Sequence, residues 1–139
     1  MILFTSDNLN KIKMMIRKNA WYHLAAAAFL ALFAVIYEHF SHGVYSNYMI
    51  FAFMIPLVLG AIPSVIISGT GKWLPRKTAL AAWNSGIAAL AVGSVFQGVL
   101  EIYGTTNSLI VVYPVIGFLM LGFGALVYLL FPVREEVTR

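Results

Sequence analysis

WYHLAAAAFLALFAVIYEHF, residues 21–40, contains a single carboxylate, Glu38, and no lysine or arginine. At about 1.5 Å per helical residue, such a run reaches roughly 30 Å, the hydrocarbon thickness of a bilayer. Its apolar side chains lie on every side of the helix, which points to lipid or a deeply buried core rather than to a surface helix. Residues 48–68, 78–100 and 109–131 repeat the pattern, with short segments between them. The expected fold is therefore all-α: four transmembrane helices forming two hairpins.

The charges orient this bundle. All nine lysines and arginines fall outside the four stretches, at Lys11, Lys13, Arg17 and Lys18, at Lys72, Arg76 and Lys77, and at Arg134 and Arg139. With an even number of crossings these positions share one side, and the positive-inside tendency makes it the cytoplasm, with both termini inside. Glu38, His39, His42 and Glu101 collect on the other side. A multi-pass protein of a cell membrane follows, and the compact loops fit a bacterial cytoplasmic membrane. A secretory signal peptide is the competing reading of the first stretch. Ile36-Tyr37-Glu38-His39-Phe40 offers no small-x-small cleavage site, so retention as a helix is expected.

Composition agrees: apolar residues make up 61% of the 139 residues and charged residues only 10%. Soluble domains carry about a quarter of their residues as charged ones. The net charge of +4 is accounted for by orientation and contact with anionic headgroups, so nucleic acid is not an expected partner. The expected partners are the lipid bilayer and either further copies of the chain or a membrane-protein complex. The absence of cysteine excludes disulfides, thiolate metal ligands and thiol catalysis. No G-x-S-x-G, H-E-x-x-H or P-loop motif is present, and an enzyme is not expected.

Residues 1–20 read as a cytoplasmic interfacial segment. Ser6 and Asp7 are candidate caps, and Leu9, Ile12 and Ile16 recur at helical spacing, as in a short amphipathic helix on the inner leaflet. No Gly or Pro separates this segment from the first span, so one long helix bending at Trp21 and Tyr22 is also allowed. Residues 21–131 form the transmembrane domain and 132–139 a cytoplasmic tail. Pro56, Gly60 and Pro63 predict a kink in the second span, where two amide donors are missing. Ala82, Gly86, Ala89, Gly93 and Gln97 share a narrow stripe of the third, with Gly86, Ala89 and Gly93 suited to close helix packing and to self-association. Asn84 and Ser85 read as packing residues and His23 as a headgroup-level residue.

The candidate ligand or proton site is built from Glu38, His39, His42, Ser94, Gln97 and Glu101. Glu38 stands 17 residues beyond Trp21, about 25 Å along a helix, at the outer interface. Ser94, Gln97 and Glu101 project within about 80° of one another. Carboxylates and imidazoles without a fixed cation suit a divalent metal on Glu38, His39, His42 and Glu101, a proton relay, or a cationic or polar ligand. They also suit an ordinary polar rim in an aromatic belt. The expected function is accordingly a small transporter, channel or accessory membrane subunit. The alternative is a non-transporting interaction or regulatory protein of a larger complex, and a haem- or quinone-linked electron-transfer subunit is a third reading. Bis-His haem needs two facing imidazoles at one depth, whereas His23 and His39 lie at opposite ends of one span, and the sequence specifies no cofactor. A Glu101 turned toward Gln97 favours transport, and a Glu101 turned to water favours the interaction protein.

Overall fold

The structure, a computed structural model, describes residues 2–135, with side chains from Thr5 to Arg134. Its architecture is helical: β1 (Ile2–Phe4), α1 (Ser6–His39), α2 (Asn47–Ile50), α3 (Met54–Pro56), a π-helical turn (Leu57–Ala61), α4 (Ile62–Thr70), α5 (Lys77–Tyr103), a 3-10 turn (Ser108–Val111), α6 (Val112–Leu130) and β2 (Val133–Glu135). Among the described residues, three helical stretches are long and apolar enough to cross a membrane, Ser6–His39, Lys77–Tyr103 and Ser108–Leu130. Met54–Thr70 is apolar but shorter.

Residues 6–39 form one helix of 34 residues rather than an interfacial helix followed by a separate span. Two causes combine. No Gly or Pro interrupts the segment, and the amphipathic stripe meets protein instead of lying on a flat surface. Leu9 and Ile16 are buried with Leu74 and Val133, and Ile12 and Ile67 pack against that cluster. The cap also differs from expectation: Thr5 is the extended residue that starts α1, and it makes no side-chain cap bond. Ser6 and Asp7 belong to the first turn, where the Asp7 carboxylate complements the partial positive charge of the helix terminus.

The second apolar stretch is broken where its prolines stand. A turn at Phe51–Phe53 separates α2 from α3, and the π-helical turn follows Pro56 directly. Pro63 has no N–H for the carbonyl four residues back, at Leu59. The Trp83 indole N–H on α5 donates to that carbonyl at 2.7 Å. The irregular backbone is thus satisfied from a neighbouring helix, as a low-dielectric interior requires.

The α5–α6 hairpin is held by glycine contacts. A Cβ at Gly86 would lie 2.7 Å from the Gly117 carbonyl, and one at Gly117 would lie 2.7 Å from the Leu90 side chain. Tyr113 closes on Gly93, and Trp83 on Gly124. The small-residue stripe on α5 therefore packs against another helix, α6 of the same chain. Ala82, Gly86 and Gly93 are buried by that contact, and Ala89 is half-buried.

A small base closes the end that carries the basic residues. Strands β1 and β2 pair in parallel, Ile2 with Val133 through Phe4 with Glu135. Val133 also exchanges both backbone hydrogen bonds with Leu74, at 3.1 and 3.0 Å. Residues 133–135 are a strand rather than a tail, and residues 136–139 lie outside the described residues. Arg134 stacks its guanidinium over Trp73, 4.1 Å from the ring centroid, and Arg76 lies 5.8 Å from that of Phe131. The Trp73 carbonyl accepts the Tyr128 hydroxyl at 3.0 Å, tying the α4–α5 loop to α6.

Candidate functional site

At the end opposite the base, the two carboxylates singled out in the sequence converge on one serine. The Ser46 hydroxyl donates to Glu101 Oε2 at 2.6 Å, and the Ser46 backbone N–H donates to Glu38 Oε1 at 3.3 Å. Ser46 is 1% exposed, and Glu101 is an exposed residue whose carboxylate reaches in to that hydroxyl. The geometry follows from the chain turn after α1. His42 and Gly43 adopt φ of 57° and 88°. These left-handed conformations reverse the backbone and set Ser46 between the ends of α1 and α5. Gly43 carries this without steric cost, while His42 does so against the preference of an L side chain.

The histidines are not brought to the carboxylates as a metal ion needs. His39 is exposed, its ring 5.4 Å from that of Phe40, and His42 is exposed in the turn. Among the described residues, no group of three or more His, Asp or Glu side chains is gathered in metal-binding geometry. Glu38, His39, His42 and Glu101 are therefore not gathered as one ligand set in this structure.

Ser94 and Gln97 also separate. The Ser94 hydroxyl donates to the Tyr48 carbonyl at 2.7 Å, joining α5 to α2, while Gln97 is half-buried. A cavity of about 490 Å³ opens here between Phe33, Tyr37, His42 and Tyr103, and neither Gln97 nor Glu101 lines it.

The more connected polar cluster lies toward the basic end and was largely missed in the sequence. Asn84 Nδ2 donates to Asn19 Oδ1 at 2.7 Å, and Asn19 Nδ2 donates in turn to Ser64 Oγ at 3.0 Å. His23 Nε2 lies 2.9 Å from Asn84 Oδ1. Because an amide oxygen only accepts, this contact requires the hydrogen on Nε2. The chain Ser64–Asn19–Asn84–His23 joins α1, α4 and α5. His23 is 9% exposed and seated directly over Gly60, so its imidazole packs between helices instead of standing free at the surface. One signal was available: Asn19 and His23 are four apart and share a helix face, the spacing of two polar groups serving one neighbour. Ser64, hidden beside Pro63 in an apolar run, offered none.

No known family model matches this chain, and no match emerged among curated proteins or solved structures. The residues and their geometry carry the functional reading.

Proposed function

We propose that this chain is an integral membrane protein with its basic end in the cytoplasm, acting as a non-transporting interaction or accessory subunit rather than as a carrier. The observation that carries the reading is that Glu38 and Glu101, the only acidic residues in the expected membrane domain, are both fastened to Ser46. A carrier needs polar groups that face a path and exchange partners, and here the polar side chains serve as joints between helices. Ser94 holds α2, Trp83 holds the broken segment, and the asparagine–histidine chain links α1, α4 and α5. Glu101 is held by Ser46 rather than turned toward Gln97, and neither residue lines the cavity at this end, which gives the transport reading less support. Four crossings are part of the proposal. The second would use α2 through α4 despite its breaks, because the carbonyl freed by Pro63 is satisfied from α5, as hydrocarbon surroundings demand.

The test is flux through the purified full chain in sealed proteoliposomes, read with a proton-sensitive dye and with cation-sensitive dyes under an imposed gradient. Rates equal to those of protein-free vesicles are expected. A flux well above that baseline which falls in Glu101→Gln would overturn the proposal and restore the acidic end as a transport site.

A further inference from the structure

A groove of about 680 Å³ runs between α1 and α5 at the basic end. Lys11, Lys18 and Lys77 stand around it, no acidic side chain among the described residues lines it, and its floor includes Asn19 and Asn84. Those two amides also line a second cavity of about 270 Å³, whose other walls include Leu30, Ile87, Ala88 and Ala91. The two cavities share Asn19, Tyr22 and Asn84, so a cationic mouth leads past an amide floor into an apolar crevice along the same pair of helices.

We infer that this groove is a binding site for one anionic phospholipid of the inner leaflet, with its phosphate held by Lys11, Lys18 and Lys77 and an acyl chain laid in the crevice toward Ala88 and Ala91. The inference rests on the membrane insertion proposed above. Two features select an amphiphile over a free anion. Three ammonium groups lining one groove attract a phosphate. The apolar extension, in turn, has no role for an inorganic ion but matches a hydrocarbon chain. The depth agrees, because Lys11 and Lys18 precede the apolar run that begins at Trp21, and Lys77 opens α5. The lysine stems supply further apolar contact while their heads reach the phosphate.

The experiment uses the purified full chain in a neutral detergent and records its melting temperature with added phosphatidylglycerol, phosphatidylcholine or inorganic phosphate. Phosphatidylglycerol at roughly tenfold above its dissociation constant is expected to raise the melting temperature by on the order of 5 °C. The other two additions are expected to have little effect. Stabilisation by inorganic phosphate equal to that by phosphatidylglycerol would assign the groove to a free anion and overturn the lipid. The Lys11→Gln/Lys18→Gln/Lys77→Gln variant should lose the preference for phosphatidylglycerol over phosphatidylcholine. Lys13→Gln/Lys72→Gln, which removes charge at the same end but outside the groove, should keep it. Ala88→Phe fills the exposed side of the crevice and should weaken phosphatidylglycerol with all lysines in place. Equal loss in both lysine variants, or an undiminished lipid response in Ala88→Phe, would reduce the effect to diffuse charge and overturn the site. Co-flotation with phosphatidylcholine vesicles reads insertion separately: a chain that floats but shows no lipid preference refutes the groove alone.

Discussion

His23 is the residue whose surroundings most clearly differ from what its neighbours in the chain suggest. Flanked by Trp21, Tyr22 and an alanine run, it reads as a membrane-surface residue, yet it hydrogen-bonds Asn84 and covers Gly60. The reason is that the chain at Gly60 approaches α1 closely because it presents no side chain, leaving space for the imidazole ring. Gly60→Ala should force the ring away from Asn84 and lower stability by about 1–3 kcal/mol in denaturation measured in detergent. At Gly122 an added Cβ meets nothing within 4 Å, so Gly122→Ala should leave the melting curve unchanged or slightly raised. Ser46 invites a similar comparison. Ser46→Ala removes the hydroxyl that donates to Glu101 and should cost about 1–3 kcal/mol. Thr106 stands at the exposed rim. Thr106→Ala should therefore change stability by less than about 0.5 kcal/mol. Equal melting temperatures for Ser46→Ala and Thr106→Ala would show that the carboxylate does not depend on that serine.

At the scale of elements, the helical character of the chain was legible because periodicity and apolar length are local properties. The irregularity of the second segment was legible too, because a proline removes its donor whatever surrounds it. Three features were not legible, each for want of a partner in view. The absence of Gly and Pro allowed a continuous α1, but what covers Leu9 and Ile16, namely Leu74 and Val133 far along the chain, was out of view. The strand at residues 133–135 exists only because Ile2 and Leu74 flank it, and three residues carry no usable periodicity. The gathering of Asn19, Ser64, His23 and Asn84 is likewise a product of helix arrangement, while the expected outer set shared an approximate depth without sharing a pocket. The glycine stripe was visible on α5, but its partner was not. Tyr113 rests on Gly93, whereas Val92 is exposed. Gly93→Leu should therefore disrupt the α5–α6 hairpin and lower the melting temperature by several degrees, while Val92→Leu should leave it nearly unchanged. Matching behaviour of the two variants would mean that α6 does not rest on that stripe. Leu74 is fully buried in the base. Leu74→Ala should loosen that base by about 2–5 kcal/mol in the same assay.

For the whole molecule, the separation of charge along the helix axes is the organising property. Lys11, Lys18, Lys72 and Lys77 stand near the base, Glu38 and Glu101 at the far ends of α1 and α5, and the long apolar helices lie between. Large apolar side chains such as Phe29, Leu32, Phe118 and Leu119 are exposed along those helices, an arrangement suited to hydrocarbon rather than water. The proposed membrane orientation is the claim on which both the accessory role and the lipid groove depend. Because the chain has no cysteine, single-cysteine variants report their own position without background. The most direct measurement is labelling of intact cells with a membrane-impermeant thiol reagent, applied to Asn47→Cys, Thr106→Cys and Lys72→Cys. Asn47→Cys and Thr106→Cys should label from outside, and Lys72→Cys only after the membrane is permeabilised. Labelling of Lys72→Cys in intact cells, with Asn47→Cys and Thr106→Cys protected, would contradict the orientation.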